Sequence, residues 1–481
     1  MQRFPRLFES MKLSALTIAV IASTAVLSGC AFVPAHFEGI ATGEIPSGYV
    51  APERTVGAVD QLEEGALLES PEVWFARWKD PNIKTVVEAA LQNNTTVAKA
   101  LANLRSSQAG LVSTTAALFP SANVGADAAK NRRNHASTDS YSADVSGSWT
   151  FSFGGKELAE RRASNAQSAA AREDLKDAQA AAASQAVEAY LRMVLADIKT
   201  RTATENAAYF EKTYNLTKSK YANGLVGKDT LDAVASQLHS ARASAASASQ
   251  ALKQAKTALM TLTHLPLTTL DAMKVDTVTE PEAGLAARIS ARTIAARPDV
   301  ESARLNVVAA MESLSAAQAS YLPDLRLSGS FGTQAATIGA LGASGTSIGA
   351  LMAALSAPIL NWGSVYADTE RKAAQLDSAR AQYVDALFVA LEETENALSA
   401  IETGLTEKKA SQEALRAASS ARAITDAKYA AGLTDYLDLL EKQRAYISAK
   451  QTLATAQTQY AIAHIELYRA LGGGWVTSTK E

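Results

Sequence analysis

One cysteine, Cys30, stands in 481 residues, so no disulfide can form within the chain. Aromatic residues make up only 6% and charged residues 20%, while alanine dominates the helical stretches. Small side chains let helices approach closely, which points to long packed helices rather than a thick aromatic core. A surplus of basic charge is missing too. With a formal net charge of −3 and a pI of about 6.1, the chain lacks the electrostatic footprint of a nucleic-acid binder. His36, His135, His239, His264 and His464 are scattered, without an HxxxH pair or a cysteine partner, which speaks against a metal centre. Gly345-Thr-Ser-Ile-Gly349 matches the nucleophile-elbow pattern. Its surroundings, rich in Gly, Ala and Ser, lack the strand and helix that such an elbow joins. No catalysis and no bound cofactor are expected.

What is present begins with a targeting segment. Arg3, Arg6 and Lys12 precede the apolar run Leu13–Val26, which ends in Leu27-Ser-Gly-Cys30. At about 14 residues the run is short of the roughly 20 that span a bilayer, and it fits a signal h-region. Met11-Lys12 offers a second possible start. The ending resembles a bacterial lipobox, which implies residues 1–29 as a lipoprotein signal peptide and acyl groups on Cys30. Ala31 is not Asp, which argues against inner-membrane retention. Residues 30–79, with Pro34, Pro46 and Pro52, read as an extended strap.

The mature chain is doubled. Lys220-Tyr-Ala-Asn-Gly-Leu225 returns 208 positions later as Lys428-Tyr-Ala-Ala-Gly-Leu433, and Gly155 pairs with Gly363 at the same offset. The first repeat, 80–265, reads as a helix begun by Asp80-Pro81 and running to about Leu118, a β-hairpin at about 120–153, a helix over 156–223 and a helix over 229–264. An irregular connector covers 266–292. The second repeat, 293–471, repeats the order: helix 298–322, hairpin at about 323–360, helix 364–431 and helix 435–471, before a tail at 472–481.

The hairpins carry the decisive pattern. From Tyr141 to Phe153 the odd positions are Tyr, Ala, Val, Gly, Trp, Phe and Phe, and the even ones Ser, Asp, Ser, Ser, Thr and Ser. Alternation of this length is a two-faced strand, and a tilted membrane strand needs about 9–11 residues with lipid on one side and a polar lumen on the other. Trp149, Phe151 and Phe153 bunch at one end, as a membrane-interface girdle would. Asp324–Phe331 alternates again, whereas 332–357 is weakly patterned. Lys156–Asn223 holds neither Gly nor Pro, and Ser364–Ala431 only Gly404; helices of this length extend about 100 Å.

Four amphipathic strands cannot stand alone in lipid, because open edges leave backbone groups unpaired. Several copies must close them, eight strands being the smallest known barrel; two copies and three copies both satisfy this. The long helices follow the strands directly and must continue the wall, with the shorter helices stacking end to end. A cylinder open at the membrane is a conduit. The competing reading is a non-conducting coiled-coil structural lipoprotein, which has no use for the Tyr141–Phe153 alternation.

Here the chain resembles the TolC-like outer-membrane factors, in the lipoprotein branch of tripartite efflux systems. Trp78-Lys-Asp-Pro81, Arg297-Pro-Asp-Val300, Tyr321-Leu-Pro323 before Ser328-Gly-Ser-Phe-Gly332, and Tyr436-Leu-Asp-Leu-Leu-Glu-Lys-Gln-Arg444 carry the likeness. It implies an α+β membrane protein: a homotrimer forming a 12-stranded transmembrane β-barrel, four strands per chain, continued by a periplasmic 12-helix α-barrel. It also implies outer-membrane lipid, a periplasmic adaptor and an inner-membrane pump of RND type as partners, with a type I secretion channel as the alternative role. Gly224 and Gly432 would then be the turns at the periplasmic tip. Leu437, Asp438 and Glu441, with Leu231 and Asp232 from the first copy, would line the periplasmic gate. Asp438 and Glu441 share a helix face; as a plain helix N-terminus they would only complement the dipole.

Overall fold

The computed structural model describes residues 74–75, 78, 80–133, 136–273, 275, 277–280, 294–360 and 362–473. The signal peptide 1–29, Cys30, nearly all of the strap, residues 281–293 of the connector and second repeat, and the end of the tail lie outside the described residues. Helices α1 (Pro81–Asn93) and α2 (Thr95–Ala116) lead into strands β1 (Ser121–Arg133) and β2 (Ala136–Ser152), then α3 (Lys156–Ala222) and α4 (Lys228–Thr263). After α5 (Leu267–Ala272), the second repeat runs α6 (Pro298–Ala319), β3 (Asp324–Ala335), β4 (Ser347–Ser356), α7 (Trp362–Ala430) and α8 (Tyr436–Ala470).

Two sequence expectations are corrected. The first helix is two helices, broken at the buried Asn94, whose backbone is extended (φ −66, ψ 129). Its side chain caps α2 by accepting from the Thr96 N–H at 2.8 Å, and its amide donates to the Leu262 carbonyl at 3.2 Å. One residue thus satisfies the start of one helix and the end of another, where backbone groups would otherwise be orphaned. Within the connector, Leu267–Ala272 is helical because Leu270 is fully buried in the core. A further difference separates the copies: Gly155 is left-handed (φ 70), whereas Gly363 lies in the first turn of α7. Five residues, rather than three, separate strand from helix in the second copy, so the chain turns without a left-handed glycine.

The short helices stack end to end. Asn93 and Asn94 hold the α4 carbonyls of Thr263 and Leu262 against the start of α2. Arg297, the N-cap of α6, donates through Nη1 to the last carbonyl of α8, Ala470, at 2.9 Å. The two repeats solve one geometric problem with different chemistry, and Arg297 also bridges Asp299 and Glu393 at 2.8 and 2.7 Å.

Helix α3 packs on α2, α4, α6 and α8, and α7 packs on α6 and α8. The wall therefore has four columns, ordered α2/α4, α3, α6/α8, α7. The sheet is antiparallel in the order β1-β2-β3-β4. Each strand is joined in sequence to the column of the same rank: α2 to β1, β2 to α3, α6 to β3 and β4 to α7. Sheet and wall thus end at the same two sides, β1 with α2 and β4 with α7.

The largest core lies midway along the helices, where α1, α3, α4, α5 and α8 meet. Trp74, Phe75, Trp78, Tyr190, Leu191, Leu259, Leu270 and Tyr468 fill it; each large apolar side chain buried there contributes about 1.5–3 kcal/mol. Asp80 caps α1 by accepting from the Asn82 N–H at 2.9 Å and accepts a second hydrogen bond, of 2.6 Å, from the Tyr190 hydroxyl.

Candidate functional site

At the far end from the sheet, both helix hairpins turn by the same device. Leu225 N–H donates to the Lys220 carbonyl and Gly224 N–H to that of Tyr221, both at 2.9 Å. In the second copy Leu433 donates to Lys428 at 2.8 Å and Gly432 to Tyr429 at 3.1 Å. These paired bonds form a Schellman motif, whose left-handed position suits glycine; φ is 75 at Gly224 and 77 at Gly432. The repeated Lys-Tyr-Ala-x-Gly-Leu is therefore a helix stop read from its own backbone chemistry.

The helices that leave the two turns start differently. Asp435 caps α8 by accepting from the Asp438 N–H at 2.9 Å, and the Thr434 hydroxyl donates to Asp438 Oδ2 at 3.0 Å. Helix α4 follows Gly227, an N-cap residue with no side chain to cap it. Lys442 Nζ lies 2.9 Å from Glu441 and 3.8 Å from Asp438, so both carboxylates on this face share one ammonium. Leu437, four residues before Glu441 and so on its side of the helix, is 71% exposed and lines a groove of about 670 Å³ with Leu225, Asp229, Tyr429 and Asp435. The structure thus brings Leu437 to the first tip while leaving Asp438 and Glu441 outside that groove. Leu231 is half-buried and Asp232 exposed on α4, and neither lines it.

Sequence reasoning missed what ties the tips together. Tyr209 of α3 donates to Asp426 Oδ1 of α7 at 2.7 Å, and Arg422 Nε lies 3.3 Å from Asp426 Oδ2. The Arg422 guanidinium also sits over the rings of Tyr446 (4.5 Å) and Tyr209 (5.2 Å). Nearby, Lys220 lies 4.4 Å above the Tyr429 ring, Gln443 donates to Asn206 at 2.9 Å, and Lys450 reaches Glu205 at 2.6 Å. Val234, Tyr429, Tyr436 and Leu439 form the apolar cluster beneath. Burial, then the hydrogen bond to Asp426, pushes the Tyr209 hydroxyl well above its ordinary range. Burial, with Tyr429 beside it, pushes Tyr436 up to about 12. One signal was available: tyrosines 209, 214, 429, 436 and 446 gather at the tips of an aromatic-poor chain.

At the other end the register sorts the sheet into two faces. Across the strands, Val124, Val145 and Phe331 align, as do Trp149 and Leu327, and Phe151, Leu325 and Leu355. Trp149, Phe151 and Phe153 are exposed on this apolar side and stack edge to face at 6.2 and 5.6 Å. Trp149 Nε1 donates to the Leu118 carbonyl at 3.1 Å, satisfying its polar handle at the strand–helix border. Opposite lie Ser142, Asp144, Ser146, Ser148 and Thr150. Where sheet meets helix, Phe153 N–H donates to Pro323 at 3.3 Å, and Gly154 packs against Ala319, leaving no room for a Cβ.

Gly345 lies in the turn before β4 and Ser347–Gly349 begin that strand, in an antiparallel sheet rather than at a strand-to-helix elbow. Among the described residues no cluster of His, Cys, Asp and Glu could hold a metal, and no helix is long and apolar enough to cross a membrane.

The family model described as "Outer membrane efflux protein" matches residues 86–263 and 290–473. The chain is similar to the pyoverdine export outer membrane protein OpmQ of Pseudomonas aeruginosa, at 26% identity over 96% of this chain and 98% of that protein. To the toluene efflux pump outer membrane protein TtgC of Pseudomonas putida it is 24% identical, over 98% of this chain and 97% of that protein. It shares its fold with the Campylobacter jejuni CmeC outer membrane channel: TM-score 0.80 at 21% identity, covering 93% of this chain and 96% of that one.

Proposed function

The chain belongs to the outer membrane efflux protein family and is an outer-membrane exit duct for efflux, and from that premise we propose how the duct is built. Three copies join β4 and α7 of one to β1 and α2 of the next. Twelve strands close a barrel in the outer membrane, and twelve helical columns continue it into the periplasm. The observation that supports this reading is the matched order of strands and columns, which leaves sheet and wall unclosed at the same two sides. Because β1 and β4 run in opposite directions, a neighbour's β1 adds antiparallel to β4 and removes both edges. The apolar face with Trp149, Phe151 and Phe153 faces lipid, and the Ser/Thr/Asp face lines the lumen.

A periplasmic adaptor and an inner-membrane pump, of RND type, feed the tips; transport through the duct itself is passive. Acyl groups on Cys30 add an anchor. At the tips, Leu437 forms an apolar ring and Asp438 with Glu441 a charged one. Lys442 offsets one of the two carboxylates, so each copy contributes one net negative charge rather than two. Heat-modifiable gel mobility and ion conductance of the purified protein test the reading. A non-conducting monomer refutes the duct and returns the coiled-coil spacer, for which the lipid-type face of the sheet has no use.

A further inference from the structure

The lumen face of the sheet is not polar throughout. Opposite residues in an antiparallel register point to the same side, so the rows can be read across the strands. Thr150, Arg326 and Ala354 form one row; Ser148, Ser328 and Met352 the next; then Ser146, Ser330 and Ala350; then Asp144, Gly332 and Ile348. Strands β2 and β3 thus present hydroxyls and charges to the lumen, while β4 presents Ile348, Ala350, Met352 and Ala354. Its other face is apolar as well, with Leu351, Ala353 and Leu355 in the rows of Gly147, Trp149 and Phe151. Lipid contact accounts for that second set and not for the first. Ile348 and Met352 are exposed.

The row at the outer end has a further property. Asp144 has Gly125 on one side and Gly332 on the other. A Cβ at Gly332 would lie 2.6 Å from the Asp144 Cβ and 2.4 Å from the Ala143 carbonyl oxygen, so the position is held empty by close backbone approach. The Asp144 carboxylate leans over Gly125, its Oδ1 3.2 Å from where a Cβ there would stand, and no side chain stands at Gly332 between Asp144 and Ile348, whose backbones are two strand spacings or about 9.5 Å apart. No cation pairs with Asp144 among the described residues. From the row of Asp127 and Ser142 to that of Ser152 and Asp324, the lumen face carries three carboxylates, Asp127, Asp144 and Asp324, against one guanidinium, Arg326.

We propose that the inward side of β4, together with Asp144 across the glycine gap, is a transient station for lipophilic organic cations passing through the barrel, one per copy. The apolar body rests on Ile348 and Met352, along about 13 Å of strand, and the positive charge faces Asp144. A small hydrated cation meets only the carboxylate, and a neutral hydrophile meets neither. The station slows such cargo without sealing the duct, because the remaining lumen face stays polar and wet.

This rests on the barrel reading above, and the test separates the two. The full-length protein in a planar bilayer is exposed to tetraphenylphosphonium or to tetramethylammonium, and the duration of current block is read. Wild-type protein is expected to show blocks about tenfold longer for tetraphenylphosphonium, the effect of about 55 Å² of apolar contact. Ile348→Thr/Met352→Thr should abolish that difference at unchanged open current, and Asp144→Asn should shorten the blocks by both ions. Absence of any current in wild type overturns the duct reading and the inference with it. Current with equal block times for the two ions in wild type overturns the inference alone, and so does an undiminished difference in the double variant. Should the double variant fail to assemble, the wild-type comparison still decides.

Discussion

Replacing Asp426 by Asn should loosen the tips, and the amount can be worked out from the clasp. The Tyr209 hydroxyl donates to a half-buried carboxylate at 2.7 Å, a hydrogen bond to a charged group at the lower end of about 1.5–3 kcal/mol. The Arg422–Asp426 pair has side chains 29% and 33% exposed, which limits it to about 0.5–1 kcal/mol. Stacking of Arg422 on Tyr446 and Tyr209 survives the change. Asp426→Asn keeps the shape and weakens both contacts, so the clasped state loses about 1.5–2 kcal/mol per copy, a shift of roughly 10- to 30-fold in the balance between clasped and released tips. Tyr209→Phe removes only the first contact and should give the smaller shift. The double variant should fall short of the sum of the two, because both changes act on one shared bond. Single-channel recording reads this as longer or larger openings in the order wild type, Tyr209→Phe, Asp426→Asn. Wild-type currents in Asp426→Asn would refute the clasp, and so would additive effects in the double variant.

Other outcomes follow from the same geometry. Lys442→Gln removes the ammonium shared by Asp438 and Glu441, doubling the net negative charge per copy, and the reversal potential in a salt gradient should move toward stronger cation preference. Gly154→Ala places a Cβ 2.7 Å from Ala319 and should cost about 1–3 kcal/mol by overpacking, seen as a lower melting temperature of the extracted protein. Burial, then Lys408, holds His464 down at about 4. The folded state therefore takes up its proton later than the unfolded chain, so stability is full above pH 6.5 and falls as pH drops toward 4; His464→Gln should flatten that part of a melting-versus-pH curve. Tyr436 behaves oppositely, its contribution present below pH 10 and lost as pH rises through about 12.

The sequence displayed the long elements because their signals are local. Runs without Gly or Pro marked α3 and α7, and strict alternation marked β2. Strand β4 was hard to delimit for a physical reason: with Ile348 and Met352 on one face and Leu351 and Leu355 on the other, it has lost the period that identifies a two-faced strand. The break at Asn94 escaped because its decisive partner, Leu262, is 168 residues away. The clasp was equally hidden, since Tyr209 and Asp426 are 217 residues apart. At the gate, the acidic spacing of Asp438 and Glu441 was visible, yet their neutralising partner and the turn of Leu437 into the inter-tip groove required the folded helices.

Whether one copy's β4 pairs with the next copy's β1 is the claim on which the rest depends, and cysteine cross-linking tests it directly. In a Cys30→Ser background, Ala353→Cys is combined in turn with Val124→Cys, Ala126→Cys and Ala128→Cys, all on the lipid-type face. Directly opposed residues in an antiparallel pair lie within disulfide reach. Oxidation in membranes should join copies in at least one combination, giving a denaturing-gel ladder that stops at three. A ladder that stops at two or runs on past three, or no joining in any combination, would contradict the closed trimer.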